Sequence, residues 1–260
     1  MNHAILHSIL NGARPAVTYA QPIVGLKDGE MRALEMLTRF AGEDGAMHAV
    51  GSLLDDPSLS PELRARLDLL CVGAVFDALA RSPITEHLIF VNLSPLTLEQ
   101  PEFWNRIQAW VWHLPIPPHR IVMELTQTCA MPGLDQMEGF AQRLRAIGLR
   151  MAVGDLGAGV ASLANMARLA PDFIKVDRSL VHDAHRHPYQ AALLNALALF
   201  AERMRVGFIA EGIETLQELE TLLDAGVPWG QGYLLGQPEP LGASGASLAP
   251  HDPGGETGQA

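Results

Sequence analysis

The sequence predicts an α/β fold in which a largely parallel sheet is covered by helices and closed into a (β/α)8 TIM-type barrel. Short apolar runs rich in β-branched residues alternate with helical patterns along the whole chain, which is how a parallel sheet with helical crossovers is written in sequence. The second observation is where the polar residues fall. Asn92, Glu124, Asp155, Lys175 and Glu211 each stand at or just past the C-terminal end of a different apolar run. In a barrel those ends ring one mouth, whereas an open sheet spreads them along an edge, so the closed form is preferred.

In chain order the strand-like runs are VTYAQPIV (17–24), LIFVNL (88–93), IVMEL (121–125), RMAVG (150–154), FIKVD (173–177) and VGFIA (206–210). Between them, the stripe of Leu63, Leu67, Leu70, Cys71, Ala74, Val75 and Ala78 predicts one helix, and Leu134, Met137, Phe140, Leu144 and Ile147 predict another. Val160, Leu163 and Met166 mark a helix opening after the glycine-rich stretch, and Thr215-Leu-Gln-Glu218 reads as a capping box for a helix that Gly226 closes. The expected organisation is an N-terminal extension over 1–16, one barrel over 17–240, and a disordered tail over 241–260, where LGASGASLAPHDPGGETGQA has no periodicity.

A chain of 260 residues with 48% hydrophobic content can bury one full core. Its 18 Lys and Arg stand against 29 Asp and Glu, a net charge of −11, and no basic run tracks a phosphate backbone, so duplex nucleic acid is not an expected partner. An anionic ligand must then be met by cations or by a few aimed basic groups. Cys71 and Cys129 form no CxxC pair, which argues against a zinc site or a disulfide framework and fits a cytoplasmic protein. The longest apolar stretch, AALLNALALFA (191–201), is too short to cross a bilayer, so no membrane association is expected. His182, His185 and His187 read as a solvated segment, and the methionines as core filling.

Brought to one mouth, the acids and the Asn92 oxygen make an oxygen-rich cluster suited to hard cations such as Mg²⁺ or Mn²⁺. Lys175 shares a strand face with Phe173 and Asp177, and a lysine aimed into that mouth needs a carboxylate or a phosphate. Each residue alone has a plainer reading as turn former, surface acid or snorkelling lysine. Their convergence is what points to a site.

These residues sit in motifs that resemble, from about residue 17 to 240, the EAL domain of bacterial cyclic di-GMP phosphodiesterases. YAQPIV (19–24) matches the opening strand of that family, LEMLTRF (34–40) stands where it has EALLRW, and VNLSP (91–95), ELTQT (124–128), DFIKVDRS (172–179), AEGIET (210–215) and QGYLLGQP (231–238) follow in order. The resemblance implies a modified (β/α)8 barrel with an antiparallel first strand, and hydrolysis of cyclic di-GMP, a bacterial second messenger, to pGpG with two Mg²⁺ or Mn²⁺ ions. By it, Glu35, Asn92 and Glu124 are metal ligands, Asp155 and Glu211 serve the second metal, and Lys175 positions the attacking water. Arg39 meets a ligand phosphate, Gln231 lines the site and Glu214 supports its acidic wall. A homodimer or another protein partner is also implied.

The sequence departs from the family at GDLGAGVASL (154–163), where active members have DDFGTGYSSL: Gly154 replaces the metal-bridging Asp and Ala158 a Thr. Gln127 stands for a loop-holding Glu, Met36 for the motif's Ala, and residues 41–62 lack the family's Pro landmarks. The expectation is therefore hydrolysis that is weak or unusual in its metal dependence, with weakly bound cations. A receptor that binds without hydrolysing and an interaction module are the alternatives.

Overall fold

The computed structural model describes residues 3–42, 44–54, 56, 58–82, 84, 86–126, 133–156 and 163–242. Its strands are β1 (Ala16–Gly25), β2 (Met31–Ala41), β3 (Met47–Ala49), β4 (Leu88–Leu93), β5 (Ile121–Leu125), β6 (Arg150–Leu156), β7 (Phe173–Val176), β8 (Gly207–Ala210), β9 (Trp229–Gly230) and β10 (Glu239–Pro240). The helices are α1 (His3–Leu10), α2 (Gly51–Leu54), α3 (Pro61–Leu79), α4 (Pro95–Leu98), α5 (Pro101–His113), α6 (Leu134–Ala146), α7 (Leu163–Leu169), α8 (Arg178–Val181), α9 (Pro188–Met204) and α10 (Leu216–Asp224).

Hydrogen bonding runs in the order β1-β9-β8-β7-β6-β5-β4-β2, and a β1–β2 pairing closes the ring. Every neighbouring pair from β2 through β4 to β9 is parallel, while β1 is antiparallel to both β2 and β9. This is the predicted TIM-type barrel, with its first strand reversed. β3 and β10 flank it on β2 and β1. All six predicted strands form, as do the helices read at α3, α6 and α10; the α10 capping box is complete, and Gly226 follows it at φ 80°. β2 is not visible as a strand in the sequence. Its MRALEMLTRFA is built of good helix formers, and pairing with β1 and β4 on either side overrides that preference. β3, β9 and β10, of two or three residues, are too short to show a period. The tail expected to be disordered over 241–260 starts with an ordered residue, Leu241, which bonds Thr18 O and packs on the core; its residues from 243, like Val160, lie outside the described residues.

Inside the barrel, Ile23, Ala33, Phe90, Val122, Ala152, Phe173 and Ile209 form a buried apolar layer with Trp229 packed against it, one residue from each barrel strand. Side chains alternate along a strand, so the next inward position lies two residues on. Counting two residues from each towards the mouth, or two back along the reversed β1, gives Gln21, Glu35, Asn92, Glu124, Gly154, Lys175, Glu211 and Gln231. The alternation thus lays a polar ring directly on the apolar layer, with a glycine at one position. Outside the sheet, Phe76, Val91, Phe103, Met123 and Phe140 bury one helical side, and Ile174, Val176, Leu194, Leu197 and Phe208 the other.

One acid lies on the buried face of α3. Asp68 is 4% exposed, and its Oδ2 accepts the Ser94 N–H at 2.9 Å and the Thr97 hydroxyl at 2.6 Å, fastening the turn that follows Asn92. Burial pushes its carboxyl up to about 6 against the lowering effect of the Thr97 and Ser94 hydrogen bonds. In the unfolded chain the group titrates near 3.9. Between those values the native state keeps a proton that the unfolded state releases, so stability falls as pH rises from about 4 to about 6, and the full cost, up to about 3 kcal/mol, stands above that. Asp68→Asn keeps an acceptor oxygen and does not titrate. The melting temperature of the variant relative to wild type is therefore expected to climb between pH 4 and 6 and then stay level; a difference independent of pH in thermal melts would refute this reading.

Candidate active site

Lys175 is the centre of the mouth. It is 0% exposed, and its Nζ lies 2.8 Å from Glu124 Oε2, 3.0 Å from Glu35 Oε2 and 2.5 Å from Glu211 Oε1. The strand ladders fix this convergence, and two of them extend past the strands. The Glu211 N–H donates to Val176 O at 3.0 Å and the Gln231 N–H to Ala210 O at 2.8 Å, carrying both side chains onto the ring. Gly232 is required beside Gln231, because a Cβ there would come within 2.1 Å of Ile213 O.

Around the lysine the amides complete a network. Asn92 Nδ2 donates to Glu35 Oε1 at 2.7 Å, and Gln231 Nε2 donates to Glu35 Oε2 at 2.7 Å and to Gln21 Oε1 at 2.9 Å. Gln21 was not singled out in the sequence. Its signal is the reversal of β1, which sets it opposite Glu35 in register. Its own Nε2 donates to Gly236 O at 3.0 Å, so the ring is tied to the chain after β9.

Three carboxylates share one ammonium here, and the electrostatics show the imbalance. Burial acts to raise Glu35, but the Lys175 charge and the hydrogen bonds from Asn92, Gln231 and Lys175 hold it below the usual carboxylate range. Burial keeps Glu124 well above that range despite Lys175, with the charges of Glu35 and Glu211 adding to the rise. Glu211 is likewise raised by burial, with Lys175 opposing and Glu35 and Asp155 reinforcing. Burial opposes the charge on Lys175, yet Glu124, Glu211 and Glu35 together hold it well above its ordinary value, as an ammonium.

The donor set fits hard divalent cations by charge and by chemistry, since the acids outnumber the base and all the donors are oxygens. Among the described residues, no three His, Cys, Asp or Glu side chains form a ready-made metal cage; Lys175 Nζ stands in the middle of the acids. The glycine of the ring is at the point where a further oxygen would enter. A Cβ on Gly154 would lie 2.9 Å from Glu124 Oε1, so a side chain at this position would point into the acid cluster. The left-handed backbone falls on the next residue, Asp155, at φ 55°, beside the register shift between β6 and β7.

Asp155, Asn92 and Arg39 line a cleft of about 310 Å³ whose remaining wall is largely apolar, with Met36, Val50 and Leu54 among its residues. Arg39 lies over the Tyr19 ring, 4.9 Å from its centroid, and among the described residues its buried Nε has no hydrogen-bond partner; nor has the buried Gln231 Oε1. These are an unspent donor and an unspent acceptor at the mouth. The predicted residues Glu35, Asn92, Glu124, Lys175, Glu211 and Gln231 are thus joined in one network, with Asp155 and Arg39 in the adjoining cleft. Glu214 stands differently: it pairs with Arg178 Nη2 at 2.6 Å, with 40% of its side chain exposed. Gln127 and Ala158 lie outside the described residues.

The family model described as the EAL domain matches residues 5–238. The chain is 32% identical over 226 residues to the probable cyclic di-GMP phosphodiesterase PdeA of Escherichia coli K12, covering 86% of this chain and 30% of that protein. It is 30% identical over 236 residues to the cyclic di-GMP phosphodiesterase NbdA of Pseudomonas aeruginosa, covering 86% and 29%. The chain therefore spans under a third of the length of these curated relatives. Among solved structures, Klebsiella pneumoniae BlrP1 in complex with calcium and cyclic di-GMP superimposes with a TM-score of 0.77 at 27% identity, over 87% of this chain and 56% of that one. A manganese and cyclic di-GMP complex of the same protein gives 0.76 at 28% identity, over 86% and 56%.

Proposed function

The chain belongs to the EAL domain family, and from that membership we propose that its barrel mouth binds cyclic di-GMP and hydrolyses it weakly to linear pGpG. The observation that carries this reading is the polar ring itself: six polar side chains and one glycine, Gly154, around a buried Lys175. Glu35, Asn92, Glu124, Asp155 and Glu211 would hold divalent cations, Mg²⁺ or Mn²⁺. When bound, such ions neutralise the phosphodiester and lower the pKa of a coordinated water.

The chain's own residues supply the rest. Arg39 Nε donates to a non-bridging phosphate oxygen, and the apolar wall of the neighbouring cleft receives a base. Lys175, kept as an ammonium, has its three N–H on Glu35, Glu124 and Glu211, and it orients the attacking water with the donor freed when a cation draws one of those acids away. Glu211, the most open of the three acids at 22% side-chain exposure, receives the proton from that water. Attack at phosphorus forms one P–O bond and breaks another, the departing ribose oxygen takes a proton from solvent, and the ring opens to pGpG. Hydrolysis is weak because Gly154 offers no oxygen to draw two cations together.

The test pairs binding with product. Calorimetry with cyclic di-GMP in Ca²⁺ is expected to show binding that Arg39→Ala weakens by about tenfold or more, the loss of a charge-assisted bond to phosphate, and that Gln231→Ala weakens less. Chromatography after incubation with Mn²⁺ is expected to show slow formation of pGpG. The missing carboxylate at Gly154 favours one second reading, a receptor, in which binding persists and no pGpG appears. Absence of binding with or without divalent ions would refute both and leave an interaction module.

A further inference from the structure

The opposite end of the barrel holds a second cleft. At the N-terminal ends of β6 to β9, a cavity of about 450 Å³ is lined by Arg150, Asp172, Phe173, Phe200, Arg205 and Trp229, among others, and its size falls in the range of small-molecule sites. Its aromatic surface is the underside of the inner layer. The Phe173 and Trp229 rings lie 5.7 Å apart at 32°, and Phe173 is fixed from within by the edge of Phe90 at 5.2 Å.

The charge lining this cleft is uncommitted. Arg32, Arg106, Arg168, Arg178 and Arg186 each pair with a carboxylate elsewhere in the molecule. Arg150 and Arg205 line the same cavity, and among the described residues the side chain of neither enters an ion pair or hydrogen bond. Four of the carbonyls at the ends of α7 and α9, which would repel an anion, are already taken. Arg145 Nη2 bonds Leu169 O at 2.7 Å and Ala170 O at 2.6 Å, and the Arg205 and Val206 amides bond Glu202 O at 3.1 Å and Ala201 O at 2.9 Å. Asp172 is held by the Met151 N–H on Oδ2 at 2.9 Å, which leaves Oδ1 to accept from a ligand.

A stacking surface, two uncommitted guanidinium groups and one anchored acceptor match a planar heteroaromatic ring carrying a phosphate. We propose that this cleft binds a nucleoside monophosphate, with its base against the partly exposed Trp229 that the buried Phe173 backs, its phosphate between Arg150 and Arg205, and an N–H of the base on Asp172. The site does not depend on the chemistry at the mouth.

The experiment titrates the protein with 5′-GMP, 5′-AMP, guanosine and inorganic phosphate by calorimetry, and follows the Trp229 indole N–H resonance by NMR, identified with Trp229→Phe. At least one monophosphate is expected to bind and move that resonance, while guanosine and phosphate each bind about tenfold or more weakly. Arg150→Gln and Arg205→Gln should each weaken the monophosphate by a similar factor with unchanged melting temperatures. The proposal is overturned by no binding of either nucleotide at millimolar concentration, or by phosphate alone binding as tightly. It is equally overturned by nucleotide binding that survives the double arginine variant or disappears with Arg39→Ala at the mouth.

Discussion

Lys175→Met is expected to lower stability by about 3–5 kcal/mol and the melting temperature by about 6–20 °C, and to remove pGpG formation. Methionine fills nearly the same volume, so the loss is one of charge. Glu35, Glu124 and Glu211 would be left in a buried cluster with no ammonium among them. Breaking a buried ion pair from one side is far more costly than removing both sides, because the abandoned charge stays desolvated. Two further results distinguish this account from a packing defect. The deficit should shrink at pH 5 relative to pH 8, because the acids can then take up protons in place of the missing cation. Mn²⁺ should also raise the melting temperature of the variant by more than that of wild type, since a divalent ion supplies charge to the same oxygens. A variant that melts with wild type at pH 8 would show that Lys175 does not hold the cluster together.

Gly154→Asp is expected to raise pGpG formation and apparent Mn²⁺ affinity by about 10–100-fold, the range over which supporting groups of a metal site act. The backbone at 154 is outside the left-handed region, so an L side chain is tolerated there. The crowding falls on Glu124 Oε1, 2.9 Å from the new Cβ, an atom at the far end of a side chain whose other oxygen holds Lys175. An added carboxylate at this point enters the acid cluster, where it can bridge cations about 3.5–4 Å apart. Asp155→Asn should abolish the residual turnover, since it removes the neighbouring charge while retaining a residue that accepts φ 55°. Steady-state rates over a Mn²⁺ series, with melts on the same samples, decide the matter. If wild type already turns over rapidly at low Mn²⁺ and a well-folded Gly154→Asp changes nothing, another group fills the bridge and the gap has no functional weight.

The barrel was legible because six short apolar runs alternate with helical patterns and five of them end at or beside a polar residue; those endings also disclosed Asn92, Glu124, Asp155, Lys175 and Glu211. Glu35 was legible only through resemblance, since the strand that carries it reads as helix until its two neighbours pair with it. Gln21 and Asp68 were not legible. The first acts through a reversal of strand direction and the second through a helix face that reads as uniformly apolar, and neither is a local property of the sequence. Glu214 matches the family motif by position, but it lies within reach of Arg178, and a half-exposed ion pair forms there.

The reversal of β1 also governs how the barrel can be attached to anything else. Because β1 runs against its neighbours, Ala16 lies opposite Phe40, at the end of β2 that rises past the mouth, and Arg14 bonds Ala41 O beside it. β10 returns to the same place: Pro240 pairs with Tyr19, and the Leu241 N–H donates to Thr18 O at 2.9 Å. Entry to the first barrel strand and exit from the last paired strand are thus adjacent on one rim, separated by roughly 10 Å by strand geometry, with α1 packed ahead of the entry. A unit with such a doorway can be spliced into a loop of another protein, or cut at the far end and rejoined at the doorway by a few residues, without disturbing a strand. Whatever is spliced there stands beside the opening of the mouth.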